Sequence, residues 1–300
     1  MKSPLAKLVG LLSLASLIVV LLVLGAVLGW WRVEFTAEQA ARLEADWERI
    51  EEAGGPLDAT TSPALQALLE GDGDEAVRAA QLVALMRADP DLRLAADGRI
   101  VDLHSLAEGA LSSEELTEED AAALLAFCAR ALRRGTLVTG LSAIALLHTA
   151  HELAPERPAL AAALAAMPPL AEDTLYRTLC RDAVALNASL TSDRGPLTLP
   201  VGTGELEVED LEFLQRALQV AHLRVLAPLE TQRNAPHLWD LDAEPETSGA
   251  LATWWALSNQ DVEGSADLMA ALVHPPLRSA VTAWTELRAL EGGAPRSQGD

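Results

Sequence analysis

Residues 8–31 form an uninterrupted apolar stretch without a single charge, and this stretch most constrains what the chain can fold into. As a helix rising about 1.5 Å per residue it spans roughly 36 Å, slightly more than a hydrocarbon core of about 30 Å. Ser13 and Ser16 are polar but can bond back to their own helix. Trp30 and Trp31 close the stretch with indole rings that suit the headgroup level. Lys2 and Lys7 precede it, so the short N-terminal tail is expected to stay cytoplasmic, with the body on the far side of the bilayer. The rival is a cleaved signal peptide, whose apolar region usually runs only about 7–15 residues. The expectation is a single-pass signal-anchor in the cell membrane, with an extracytoplasmic body that is periplasmic if the cell is Gram-negative. The bilayer is then a partner through residues 8–31.

The rest of the chain is acidic. The protein carries a formal charge of −22, and three of its cations, Lys2, Lys7 and Arg32, lie in or beside the anchor. A body of this sign repels phosphate backbones, which argues against nucleic acid as a partner. It tolerates basic partners or divalent cations. No lysine follows Lys7; arginine and alanine dominate instead, as in a GC-rich bacterial genome. Half of the residues are hydrophobic, enough to bury a core rather than leave a disordered tail.

Helical periodicity runs through most of residues 36–290. Thr36 and Gln39 have the spacing of a capping box, and Ala40, Leu43, Trp47 and Ile50 share one face of the helix they open. Gly54, Gly55 and Pro56 end it. This juxtamembrane helix, within residues 32–56, either packs on the body or continues the anchor as a stalk. Ser62–Pro63, Asp74 and Thr117 start further helices; Gly135, Pro155 and the Pro168–Pro169 pair punctuate those that follow. Residues 92–103, around Asp97 and Gly98, have weak hairpin character. Residues 196–208 alternate with period two around Gly202, Thr203 and Gly204, which reads as a small β-hairpin or an extended loop. His274, Pro275 and Pro276 are expected to separate two helices at 264–273 and 276–290.

The fold class is therefore mainly α: a transmembrane helix followed by an irregular multi-helix bundle or array of antiparallel helical hairpins, with one small β-hairpin. No 34-residue or similar fixed repeat occurs, so a true solenoid is not expected. The organisation is a cytoplasmic tail at 1–7, the anchor at 8–31, the juxtamembrane helix at 32–56, a helical domain at 57–290 and a disordered polar tail at 291–300.

Candidate chemistry is sparse. His148 and His151 share a helix face and could hold a metal, but the order of His and Glu152 fits neither HExxH nor HxxEH. Cys128 and Cys180 are the only cysteines and could pair in an oxidising compartment. Trp254 and Trp255 point about 100° apart on a helix, so one can pack inward while the other covers a partner site. Gly202 and Gly204 are followed by Glu205, Glu207 and Glu209, which would repel phosphate. Asp240, Asp242 and Glu244 begin like a calcium loop, but Pro245 replaces the glycine an EF-hand needs. Asn187 and Ser189 match a glycosylation acceptor within a helix. No catalytic constellation and no cofactor can be assigned.

The functional expectation is a membrane-anchored, non-catalytic interaction or scaffold module with a protein partner. One alternative is a hydrolase with a noncanonical, metal-assisted site near His148 and His151. Another is a cation-responsive sensor using the acidic loops.

Overall fold

The computed structural model describes residues 35–56, 60–94, 99–190, 197–201, 204–208, 211–239 and 250–291. The anchor at 8–31, the acidic loop at 240–244 and the tail at 292–300 lie outside the described residues. Among the described residues, no helix is long and apolar enough to cross a membrane.

The body is mainly helical. In chain order the helices are α1 (Ala37–Gly54), α2 (Pro63–Glu70), α3 (Glu75–Ala88), α4 (Ile100–Ser112), α5 (Glu118–Arg134), α6 (Leu137–Leu153), α7 (Pro158–Ala166), α8 (Thr174–Ser189), α9 (Leu211–Glu230), α10 (Ala250–Ser258) and α11 (Val262–Glu291). Strands β1 (Leu197–Val201) and β2 (Gly204–Val208) pair antiparallel between α8 and α9, with Leu199 opposite Leu206.

Local chemistry sets most helix starts. Thr36 Oγ accepts from the Gln39 N–H at 3.2 Å while Gln39 Oε1 accepts from the Thr36 N–H at 2.9 Å, a complete capping box. Asp74 accepts from the N–H groups of Ala76 and Val77, and Thr117 from that of Asp120. Pro63 and Pro158 occupy first turns, where the missing N–H has no intrahelical partner to lose. Gly55 ends α1 at φ +69°, a conformation that favours glycine.

The helices α3 to α7 stack in two rows. α3 packs on α4 and α5, α4 on α6, and α5 on both α6 and α7. Adjacent hairpins stack without a sequence repeat behind them. α8 then packs on α1, α5 and α6, and α9 lies against α8, α1 and α11. Leu43, Trp47 and Ile50 are buried, so α1 lies on the body instead of standing off it as a stalk.

Two hydrophobic cores result. The larger joins α1 to α8 with the C-terminal ends of α9 and α11, through residues such as Leu103, Leu124, Leu147, Tyr176 and Leu287. The smaller joins α9, α10 and α11 through Leu214, Leu218, Leu257, Ala266 and Met269.

Two sequence expectations are corrected. Residues 100–103 do not supply a hairpin strand. Ile100 opens α4, because Leu103, Leu106, Ala107, Ala110 and Leu111 recur at helical spacing and are buried. The backbone of Arg93 instead bonds Ser62, donating to its Oγ and accepting from its N–H, both at 3.0 Å. The Pro275–Pro276 pair does not divide two helices either: α11 runs through it. Ala266, Met269, Ala270, Leu277, Ala280, Trp284 and Leu287 keep one buried phase across the prolines. Packing of this continuous face against α9 and α6 outweighs two missing backbone donors.

Candidate functional site

Four helices converge where the two cores meet. The N-terminus of α6 supplies Leu137; α8 supplies Leu179, Asp182 and Leu186, with Leu190 just past its end; α9 supplies Leu214, Leu218, His222 and Leu226. α11 closes the far wall with Met269, Val273, Pro276 and Leu277. They line a partly open cavity of about 240 Å³ whose wall is almost entirely hydrocarbon. An apolar cavity with a few convergent polar groups is the usual form of a ligand site.

The cavity lies along the boundary between the two cores. α8 packs on α1, α5 and α9, and α9 packs most extensively on α11. Among the lining residues, Leu179, Leu226 and Leu277 belong to the larger core, and Leu214, Leu218 and Met269 to the smaller.

Among the described residues, only Asp182 and His222 bring ionisable groups to this wall. Asp182 Oδ1 accepts from the Leu137 N–H at 2.9 Å, so it caps α6 from a neighbouring helix. Thr136, at the N-cap itself, makes no side-chain cap bond. Burial pushes the Asp182 carboxyl above its usual range, and the Leu137 hydrogen bond opposes that rise. His222 is 3% exposed, and its Nδ1 lies 2.9 Å from the Leu218 carbonyl oxygen. A carbonyl can only accept, so Nδ1 carries the proton and Nε2 keeps its lone pair. Burial lowers the His222 pKa to about 4, against a smaller opposing effect of the Leu218 carbonyl. The ring is therefore neutral near pH 7. It also lies 6.3 Å from the Trp47 ring, tilted by 60°.

The residues singled out from sequence lie elsewhere. His148 and His151 sit in the last turns of α6, as expected, with His148 Nδ1 3.7 Å from Glu152 Oε2. Burial lowers the His151 pKa, and its Nε2 has no hydrogen-bond partner. Among the described residues, no group of three or more His, Cys, Asp or Glu side chains is placed to share a metal ion. Cys128 and Cys180 are both free and buried, so the disulfide considered for them is not formed. They occupy the buried faces of α5 and α8, and burial pushes each thiol up to about 12. Trp255 is half-buried on α10, while the side chain of Trp254 lies outside the described residues. Trp239 and Trp284 are core residues. Asn187 is within α8, with its side-chain oxygen buried and unpaired.

Asp182 and His222 carried a sequence signal that went unread. Leu179, Asp182, Leu186 and Leu190 form one helical stripe, and Leu214, Leu218, His222 and Leu226 form another. In each, a single ionisable residue interrupts a run of leucines.

No family model matches the chain, and no curated protein or solved structure matches it.

Proposed function

We propose that the protein is a membrane-anchored helical module that acts by non-covalent binding, with the seam cavity as its binding element. Residues 8–31 hold it in the cell membrane, the N-terminus is cytoplasmic, and the body meets its partner outside the cytoplasm. The bound group is apolar and small enough for about 240 Å³. The observation that carries this reading is the cavity itself: Leu, Met, Val and Pro side chains line it, with Asp182 and His222 as its ionisable groups. An engineered cavity of about 150 Å³ with similar walls binds benzene, so this space accommodates a ring with a short substituent.

The test uses full-length protein in zwitterionic nanodiscs, with empty nanodiscs as the blank. Titration with 4-fluorotoluene, followed by fluorine NMR, is expected to show saturable binding. Leu218→Trp, which fills the cavity, is expected to remove that binding. Absence of saturable binding in the parent protein, or its survival in Leu218→Trp, overturns the proposal.

A further inference from the structure

The polar atoms offered to the cavity share one character. One Asp182 oxygen is used by the Leu137 N–H, and the other has no hydrogen-bond partner among the described residues. His222 spends its N–H on the Leu218 carbonyl and presents a lone pair at Nε2. Both groups accept and neither donates. Among the described residues, no arginine or lysine lines the wall. A carboxylate oxygen on a hydrocarbon wall loses much of its hydration, and a cationic N–H donor replaces it better than a neutral one.

Charge and size agree with that complement. The chain carries −22 formal charges, which raises the local concentration of cations and lowers that of anions. About 240 Å³ exceeds what benzene alone requires. We propose that the cavity binds a small apolar amine, a single ring or compact hydrocarbon bearing one ammonium group, with its N–H groups on Asp182 and His222 and its hydrocarbon against Leu214, Leu218 and Met269. This assignment rests on the reading of the cavity as the binding element and names the ligand class that it takes.

Three probes of one shape separate the two claims in the same nanodisc titration: 4-fluorobenzylammonium, neutral 4-fluorotoluene and anionic 4-fluorophenylacetate. The ammonium is expected to bind at least tenfold more tightly than the toluene, and the carboxylate at least tenfold more weakly. Asp182→Asn keeps an oxygen for the Leu137 N–H but removes the charge. It is expected to weaken the ammonium at least tenfold and 4-fluorotoluene far less, and the toluene binding that remains shows that the variant is folded. Ammonium binding no tighter than that of the toluene, or undiminished in Asp182→Asn, overturns the amine assignment and leaves the apolar pocket standing. Ammonium binding that persists in Leu218→Trp is adsorption to the acidic surface and overturns it too. If neither the toluene nor the ammonium binds, both claims fall together.

Discussion

Arg181 shows how one side chain can organise this chain. It is 3% exposed and gives Nε–H to the Gly135 carbonyl at 3.1 Å, Nη1–H to that of Gly54 at 3.2 Å, and Nη2–H to that of Leu132 at 2.7 Å. A further bond reaches the Arg133 carbonyl. These oxygens lie at the C-terminal ends of α5 and α1, the negative ends of both helix dipoles. Arg181→Met removes the side-chain donor from the Gly54 and Gly135 carbonyls, while Leu132 keeps the Thr178 hydroxyl, and is expected to destabilise the protein by about 3 kcal/mol in urea unfolding. His222 makes a pH prediction. The unfolded ring takes a proton at about pH 6.5, whereas the native ring resists it until about pH 4. The unfolded state binds more protons in that window, so stability falls as pH drops from about 6.5 to 4, by about 3 kcal/mol. His222→Leu is expected to flatten this part of the stability–pH curve. Asp182 acts with the opposite sign: its raised native pKa makes the folded state the better proton acceptor, so this contribution grows as pH falls through that value toward 3.8. The two single variants separate the contributions. Cys128 and Cys180, buried and held as thiols, are expected to react with an aromatic disulfide reagent only after unfolding.

At the scale of elements, two contacts fix how the helices meet. Gly54 ends α1 against the backbone of α8: an added Cβ would lie 3.0 Å from the Arg181 nitrogen and 3.2 Å from the Cys180 carbonyl carbon. Backbone cannot retreat as a flexible side chain can. Gly54→Ala is therefore expected to lift α1 off α8 and lower stability by about 1–3 kcal/mol, read from the thermal midpoint. Helix α11 carries the other contact. Pro275 and Pro276 withhold the donors that Ala271 and Leu272 carbonyls would meet in an uninterrupted helix. Pro276 lines the cavity, while Leu277 on the next step is buried in the larger core. The helix thus passes from the smaller core to the larger at its weakest backbone position. Replacing both prolines by alanine is expected to raise the thermal midpoint, because two helical hydrogen bonds are restored without disturbing the buried stripe.

For the whole molecule, the arrangement of two cores matters more than the helix count. Leu43 of α1 packs into the smaller core, while Trp47 and Ile50 of the same helix pack into the larger. α1 therefore straddles the boundary that also creates the cavity. In sequence, the proposed anchor at 8–31 lies just before α1, the helix that joins both cores. Protease treatment of intact spheroplasts is expected to cut the body from outside while a fragment containing Met1 to Trp31 stays with the membrane. A protected body would reverse the proposed orientation, and a mature N-terminus near Trp30 would replace the anchor with a cleaved signal.

Much of the helical framework was legible in the sequence, because its signals are local. Thr36 with Gln39, Asp74, Thr117 and Pro158 act within one turn of where they stand, and their helices begin there. The class of fold followed from leucine and alanine recurring at helical spacing. Local reasoning misled at Pro275–Pro276 and at Ile100–Leu103, where a local signal competed with a buried stripe whose energy comes from distant partners. The candidate site depended on tertiary structure for the same reason. Asp182 caps a helix 45 residues earlier in the chain, and His222 reaches the same cavity from another helix. Neither spacing nor composition specifies that their two leucine stripes face one another. Sequence alone determined most of the helical segments and their apolar faces, since capping and periodicity are set by neighbouring residues. Tertiary packing decided that two cores form, that their seam stays open, and that a carboxylate and a neutral imidazole meet there, since each of these depends on contacts between residues far apart along the chain.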